Sequence, residues 1–206
     1  MNARTLAWLG LSWVVAAAPL VAQGGGPGGR ETAVFAGGCF WGVDAVFRHV
    51  RGVLQVVSGY AGGSPATARY DLVSTDTTGH AESVEVTFDP EQVSYQQLLR
   101  VFFTVAHDPT QRNRQGPDDG TQYRSVLFYA TPEQHRAALA MITALERERA
   151  YADSIVTEVM PLRAFYAAEA YHQNYLARHL NQPYIVFNDL PKLGVLKRRF
   201  PELYRP

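Results

Sequence analysis

The chain has 206 residues, 19 Lys and Arg against 19 Asp and Glu, a formal net charge of +0, and 47% hydrophobic residues. That balance excludes the basic surface by which nucleic-acid binders steer a polyanion, and the one basic run, Lys197-Arg198-Arg199, reads as a solvated helix end. A single cysteine excludes an internal disulfide framework and any multi-thiolate metal site.

Met1-Asn2-Ala3-Arg4 is short and positive, Thr5 to Ala18 is apolar and uncharged, and Leu20-Val21-Ala22 ends in a small residue suited to cleavage before Gln23. Residues 1–22 therefore read as a secretory signal peptide. The alternative, an uncleaved membrane anchor, needs about 20 apolar residues, and Pro19 interrupts the end of this run. Residues 23–30 are a glycine-rich linker without a core of its own. Residues 31–206 form one domain, long enough to bury a sizeable core. The expected location is outside the cytoplasm, periplasmic or secreted. An unpaired thiol is exposed to oxidation there, so its presence suggests use.

Thr32-Ala33-Val34-Phe35-Ala36 is strand-like and leads into Gly37-Gly38-Cys39-Phe40-Trp41-Gly42. Phe40, Val43, Phe47 and Val50 then follow a helical spacing, which places Cys39 at a strand-to-helix turn. The unpaired N–H groups and the dipole of a helix N-terminus favour a thiolate, and the glycines leave the sulfur approachable. A lone cysteine can also be a small buried hydrophobe. The turn and its aromatic flanks favour a nucleophile.

Residues 52–60 read as a strand, and Gly62-Gly63-Ser64-Pro65 opens a loop to about Thr78. Ser83 to Phe88 alternates polar and apolar, as a half-buried strand does. Ser94 is placed to cap a helix running through Ala106. Thr110 to Gly120 is a polar loop, and Ser125–Tyr129 a strand. Thr131-Pro132 starts a helix to about Arg149. A strand at Ile155–Val159 and a helix from about Ala168 to Leu180 precede an irregular tail. The order β-α-β-β-α-β predicts an α+β fold, a ferredoxin-like two-layer sandwich with additional C-terminal helices and that tail.

Three further clusters carry candidate chemistry. Glu82, in Thr78-Gly79-His80-Ala81-Glu82, precedes apolar strand positions. Desolvation in an aromatic pocket with Tyr70 would raise its pKa and let it act as a general acid. His80-Ala81-Glu82 also matches half of a zinc deaminase signature, but the chain lacks the cysteine pair that signature needs. The second cluster runs from Asn113 to Ser125. The third, Phe165 to Tyr175, places Tyr171 and Tyr175 on one face if helical, with His172 beside Tyr175. His172 with Cys39 would suit a Cys–His hydrolase, but one distant histidine is thin support.

Together these residues resemble the peptide methionine sulfoxide reductases of type A. Gly-Cys-Phe-Trp-Gly at 38–42 looks like that family's active-site signature. Tyr70 and Val73, Thr-Gly-His-Ala-Glu at 78–82, Gly-Thr-Gln-Tyr-Arg-Ser at 120–125 and Tyr-His-Gln-x-Tyr at 171–175 follow in the family's order. The resemblance implies reduction of the S epimer of methionine sulfoxide, free or in peptides, without a cofactor or metal. It implies Cys39 as nucleophile, Glu82 as acid, and Tyr70 and Tyr123 on the sulfoxide oxygen. Phe40 and Trp41 would wall the substrate methyl, with Asp118, His172 and Tyr175 as the polar surround. Ala167 and Ala170 depart from a proline and an acidic residue common in the family. Many relatives also carry C-terminal cysteines that resolve the oxidised nucleophile, and this tail has none. An external thiol is then expected as reductant: glutathione, a glutaredoxin or a thioredoxin-like protein. The expected assembly is a monomer with no nucleic-acid partner.

Two other functions fit parts of the pattern. A thiol peroxidase would use Cys39 but leaves Glu82, Tyr70 and Tyr123 unexplained. A non-enzymatic module binding oxidised methionine would need the Trp41 pocket but not the thiol.

Overall fold

In a computed structural model, strand β1 (Glu31–Gly37) runs through the middle of a six-stranded sheet and ends where the chain turns at Cys39 into helix α1 (Phe40–Arg48). The structure describes residues 29–206. The expected signal peptide, 1–22, and most of the linker lie outside the described residues.

The remaining strands are β2 (Val53–Ala61), β3 (Ala81–Phe88), a two-residue pair β4 (Arg114–Gln115) and β5 (Asp118–Asp119), β6 (Ser125–Tyr129), β7 (Glu158–Pro161) and β8 (Phe165–Ala167). The main sheet has the order β7-β6-β1-β3-β2-β8, with β6–β7 parallel and the other pairs antiparallel. The helices are α2 (Tyr70–Val73), α3 (Tyr95–Val101, prolonged by a π-helical turn to Ala106), α4 (Pro132–Arg147), α5 (Tyr175–Arg178) and α6 (Leu190–Arg199). The result is a mixed α/β fold.

Local signals explain most of these elements. Ser94 and Gln97 cap α3 reciprocally, each side chain taking the other's backbone N–H. Thr131 accepts from Gln134 N–H, and Pro132 occupies the first turn of α4. Phe40, Val43, Val46 and Phe47 all turn inward from α1. They pack with Phe35, Val84, Val86, Phe88, Leu98 and Phe102 between the helices and one sheet face. The other face is covered by the chain itself, where Met160, Leu162 and Phe165 lie over Val34, Ala36, Val126 and Phe128.

Register decides where the site falls. Phe35 pairs with Val84 and Gly37 with Ser125, so the exit of β1 lies beside the entries of β3 and β6. Tyr60 pairs with Glu82 on one side and Tyr166 on the other, so the end of β2 and the start of β8 lie at the edge where β3 begins. Cys39, Glu82, Tyr123 and Tyr70 therefore lie at or just beyond one end of the sheet, and the segment after Ala167 runs back along the β2 edge beside them.

Four expectations are corrected. The helix expected over 168–180 is confined to α5 (Tyr175–Arg178). Ala168 N–H donates to Ser58, and the Gln173 amide bonds both backbone groups of Ser58 and the carbonyl of Ala168, holding this stretch along the β2 edge. A 3₁₀ turn (Ala170–His172) follows, and Asn174 at φ 49° breaks the chain before the short α5. The strand expected at 155–159 is shifted to Glu158–Pro161, where parallel pairing with β6 sets it. The loops at 62–78 and 110–120 contain α2 and the β4–β5 pair. The tail expected to be irregular contains α6, whose Leu196 is fully buried.

Candidate active site

Cys39 is the N-cap of α1 and makes no side-chain cap bond. Gly38 before it has φ +90°, and a Cβ there would lie 2.5 Å from Cγ of Gln115. Only glycine fits both the left-handed turn and that contact. Gln115 is fixed in turn by two bonds to the backbone of Asp108, which latches the 108–115 loop over the nucleophile turn.

Glu82 is buried, and its Oε2 accepts the N–H of Phe40 at 3.0 Å. Phe40 is the first residue of α1, so the acid takes the helix-terminal donor immediately after Cys39. Burial raises the Glu82 carboxyl to about 8; the Phe40 bond opposes this and the charge of Asp118 adds to it. The carboxyl is therefore mostly protonated at neutral pH.

The thiol departs from expectation. A helix N-terminus was expected to favour the thiolate, and Trp41 N–H does act in that direction. Burial and the nearby carboxylates of Glu82, Asp189 and Asp118 outweigh it, so the Cys39 thiol is pushed well above its ordinary value. The resting pair is a thiol and a carboxylic acid, both carrying protons.

Tyr70 begins α2, and Tyr123 ends a 3₁₀ turn (Thr121–Tyr123). Burial raises both phenols, with further contributions from Glu82 and Cys39, so both feel the same site and stay protonated donors. Tyr123 is held from two sides. Asp76 accepts from Thr121 N–H and its hydroxyl, and Arg124 donates to the carbonyls of Gly79, His80 and Thr121. His80 serves the loop, with one ring nitrogen on Gly63 N–H and the other on Ser64 C=O.

Trp41 stacks on Tyr175 with centroids 3.8 Å apart and planes at 7°, and its indole N–H donates to Nδ1 of buried His172 at 3.1 Å. His172 also packs on Phe40 and Tyr70, at 4.9 and 4.5 Å. Burial lowers its pKa, so the ring is neutral. Tyr171, expected on the Tyr175 face, is instead 54% exposed. Asp118, in β5, accepts the phenol O–H of Tyr184.

The structure thus brings all nine expected residues to one end of the sheet, where stacking, hydrogen bonds or shared electrostatics link them. It adds Tyr184, edge-on to Trp41 at 6.1 Å, and Asp189, whose carboxyl is enclosed and ion-paired to Lys192 at 3.2 Å. Both lie in the stretch expected to be irregular. The Tyr-x-x-x-x-Asp-x-Pro run around them offered only a weak helix-start signal. The arrangement groups a neutral acid, a thiol and two phenols beside the packed rings of Phe40, Trp41, His172 and Tyr175. Among the described residues no group of three or more His, Cys, Asp or Glu is placed to hold a metal ion.

Comparison with known proteins gives a consistent picture. Residues 31–202 match the family model described as peptide methionine sulfoxide reductase. The peptide methionine sulfoxide reductase MsrA 2 of Mesorhizobium japonicum is 54% identical over 176 residues, covering 85% of this chain and 90% of that protein. MsrA of Thermus thermophilus is 49% identical over 177 residues, covering 86% and 99%. Among solved structures, methionine sulfoxide reductase A of Corynebacterium diphtheriae superposes with a TM-score of 0.69 at 38% identity, covering 76% of this chain and 77% of that one.

Proposed function

The chain belongs to the peptide methionine sulfoxide reductase family and reduces methionine sulfoxide in protein repair; we propose that it does so by attack of Cys39 under acid catalysis by Glu82. The observation that carries this reading is the buried Glu82 carboxyl, held at about 8 and bonded to the N–H that follows Cys39.

A sulfoxide oxygen leaves poorly unless protonated. Glu82 gives its proton to that oxygen while Tyr70 and Tyr123 hold it. Protonation makes the substrate sulfur electrophilic, and the developing positive charge beside Cys39 favours loss of the thiol proton. Cys39 Sγ attacks that sulfur, and the hydroxyl then passes to Sγ, so the transient Sγ–S bond and the S–O bond of the substrate break as the Sγ–O bond forms. Two electrons pass from the Cys39 sulfur to the substrate sulfur. Methionine leaves as the thioether, Cys39 becomes a sulfenic acid, and the thiol proton makes good the one Glu82 gave. Phe40 and Trp41 wall the methyl group, and Asp118, His172 and Tyr175 complete the surround. The S epimer is the substrate that membership of this family implies.

The sulfenic acid then needs an external thiol, because Cys39 is the only cysteine. A thioredoxin-like protein, a glutaredoxin or glutathione fills that role, and the enzyme acts as a monomer. The strand order β6-β1-β3-β2, with α1 and α3 in the crossovers, supports reading the central part as ferredoxin-like. Residues 1–22 act as an export signal, 23–30 as a linker and 31–206 as the reductase domain, which places the activity in the periplasm or outside the cell.

A dithiothreitol-driven assay with separated sulfoxide epimers tests the reading. Turnover of the S epimer alone, abolished in Cys39→Ser, is the expected result. Equal turnover of both epimers, or activity in Cys39→Ser, overturns it.

A further inference from the structure

Trp41 and Tyr70 come from different parts of the chain, yet one carboxylate reaches the supports of both. Glu169 lies between β8 and the 3₁₀ turn that carries His172. Its Oε1 accepts the backbone N–H of Tyr70 at 2.9 Å, the first donor of α2, which no residue of that helix can satisfy. Its Oε2 accepts the phenol O–H of fully buried Tyr60 at 2.9 Å. The same Oε2 lies 4.0 Å from Nε2 of His172, a buried nitrogen with no hydrogen-bond partner.

The His172 ring can be assigned from its neighbours. The Trp41 indole N–H is only a donor, so Nδ1 must accept, and the neutral ring then carries its proton on Nε2. The Glu169 carboxylate lies 4.0 Å from that nitrogen. A negative charge at this point favours the Nε2–H tautomer and so keeps Nδ1 free to accept from Trp41. We propose that Glu169 is a positioning residue for sulfoxide reduction: it fixes the start of the helix bearing Tyr70 and, through the tautomer of His172, the orientation of the Trp41 indole. This rests on the reading of Tyr70 and Trp41 as substrate contacts given above.

Glu169→Gln separates the two arms. Its amide oxygen still accepts from Tyr70 N–H, whereas its NH₂ meets His172 Nε2–H donor to donor. The ring then escapes by moving its proton to Nδ1, which ends its bond to Trp41. Nitrogen NMR of the full chain reads this directly, with the Trp41 indole signal assigned by Trp41→Phe. The unsubstituted protein should show the Nε2–H tautomer at neutral pH. In Glu169→Gln the tautomer should change, the Trp41 indole N–H should shift upfield, and KM for a methionine sulfoxide peptide should rise about ten-fold.

A His172 ring that carries its proton on Nδ1, or is charged, in the unsubstituted protein overturns the proposal without any variant. So does a Glu169→Gln protein with unchanged ring and indole signals. Moved signals with an unmoved KM overturn the placement of Trp41 on the substrate wall, and with it the functional half of the proposal.

Discussion

Phe40 N–H donates to Glu82 Oε2 across 42 residues of sequence, at 3.0 Å. This bond ties Glu82 to the residue that follows Cys39, so neither group can shift without the other. It also uses the helix-terminal donor that would otherwise favour ionisation of Cys39. The site thereby keeps both of its protons until a substrate arrives.

Replacing the acid should separate chemistry from binding. Glu82→Gln keeps an oxygen for Phe40 N–H but has no proton to give. Its single-turnover reduction rate should fall about 10²–10⁴-fold, while binding of sulfoxide persists. In the unsubstituted enzyme the same rate should decline as pH rises through about 8, where Glu82 loses its proton. A flat profile from neutral to alkaline pH would remove Glu82 from the acid's role.

The same substitution should stabilise the fold in alkali. Glu82 has an ordinary value of 4.5 and is raised to about 8 in the folded protein. Between those values the folded state holds a proton that the unfolded chain has released, so stability falls as pH rises through this window. The whole penalty is present above about 8. Glu82→Gln should therefore melt higher than the parent at about pH 9 and close to it at about pH 4. Equal melting temperatures at alkaline pH would contradict the buried placement of the carboxyl.

Alkylation of Cys39 should be slow at neutral pH. Burial and three carboxylates hold the thiol well above its ordinary 9.0, so its iodoacetamide rate should still be climbing beyond about pH 9. A titration midpoint near neutrality in the substrate-free protein would show that the thiolate is already formed at rest.

Gly42→Ala should damage stability from a position that makes no proposed substrate contact. A Cβ at Gly42 would lie 2.1 Å from Asp189 Oδ1 and 2.6 Å from Lys192 Nζ, inside a buried ion pair. Moving that pair should cost about 1–3 kcal/mol, read as a lower denaturant midpoint. Unchanged stability would mean that the pair is not packed against α1.

Regeneration should depend on an added thiol. After one equivalent of methionine sulfoxide, dimedone should label Cys39 and nothing else, and a thioredoxin system should then support repeated turnover. A thioredoxin lacking its second cysteine should be trapped on Cys39 as a mixed disulfide. Failure to turn over with thioredoxin would leave glutaredoxin or glutathione as the reductant.

Where the signal was local, the sequence could be read directly. The run from Thr32 to Val50 contains its own strand, turn and helix, and Cys39 falls at their junction. Ser94 with Gln97 and Thr131 with Pro132 mark helix starts within four residues. Glu82 could be singled out because Val84, Val86 and Phe88 follow it on the same face of β3. The segment from Ala168 to Tyr175 could not be read this way. Its conformation depends on the Gln173 amide meeting Ser58, 115 residues away, which no local spacing encodes. Tyr184 and Asp189 escaped notice for a similar reason. Their roles come from Asp118 and from α1, both reached only through the tertiary fold.

Cys39 stands just past the end of β1, a strand hydrogen-bonded on both flanks in the interior of the sheet. Every residue of that strand is paired on at least one side, which gives a fixed footing to the turn at Cys39. With no second thiol in the chain, no segment has to swing inward to meet it. All the travelling is left to visitors: the damaged polypeptide must present its side chain to Cys39, and the electron donor must afterwards come to the same spot.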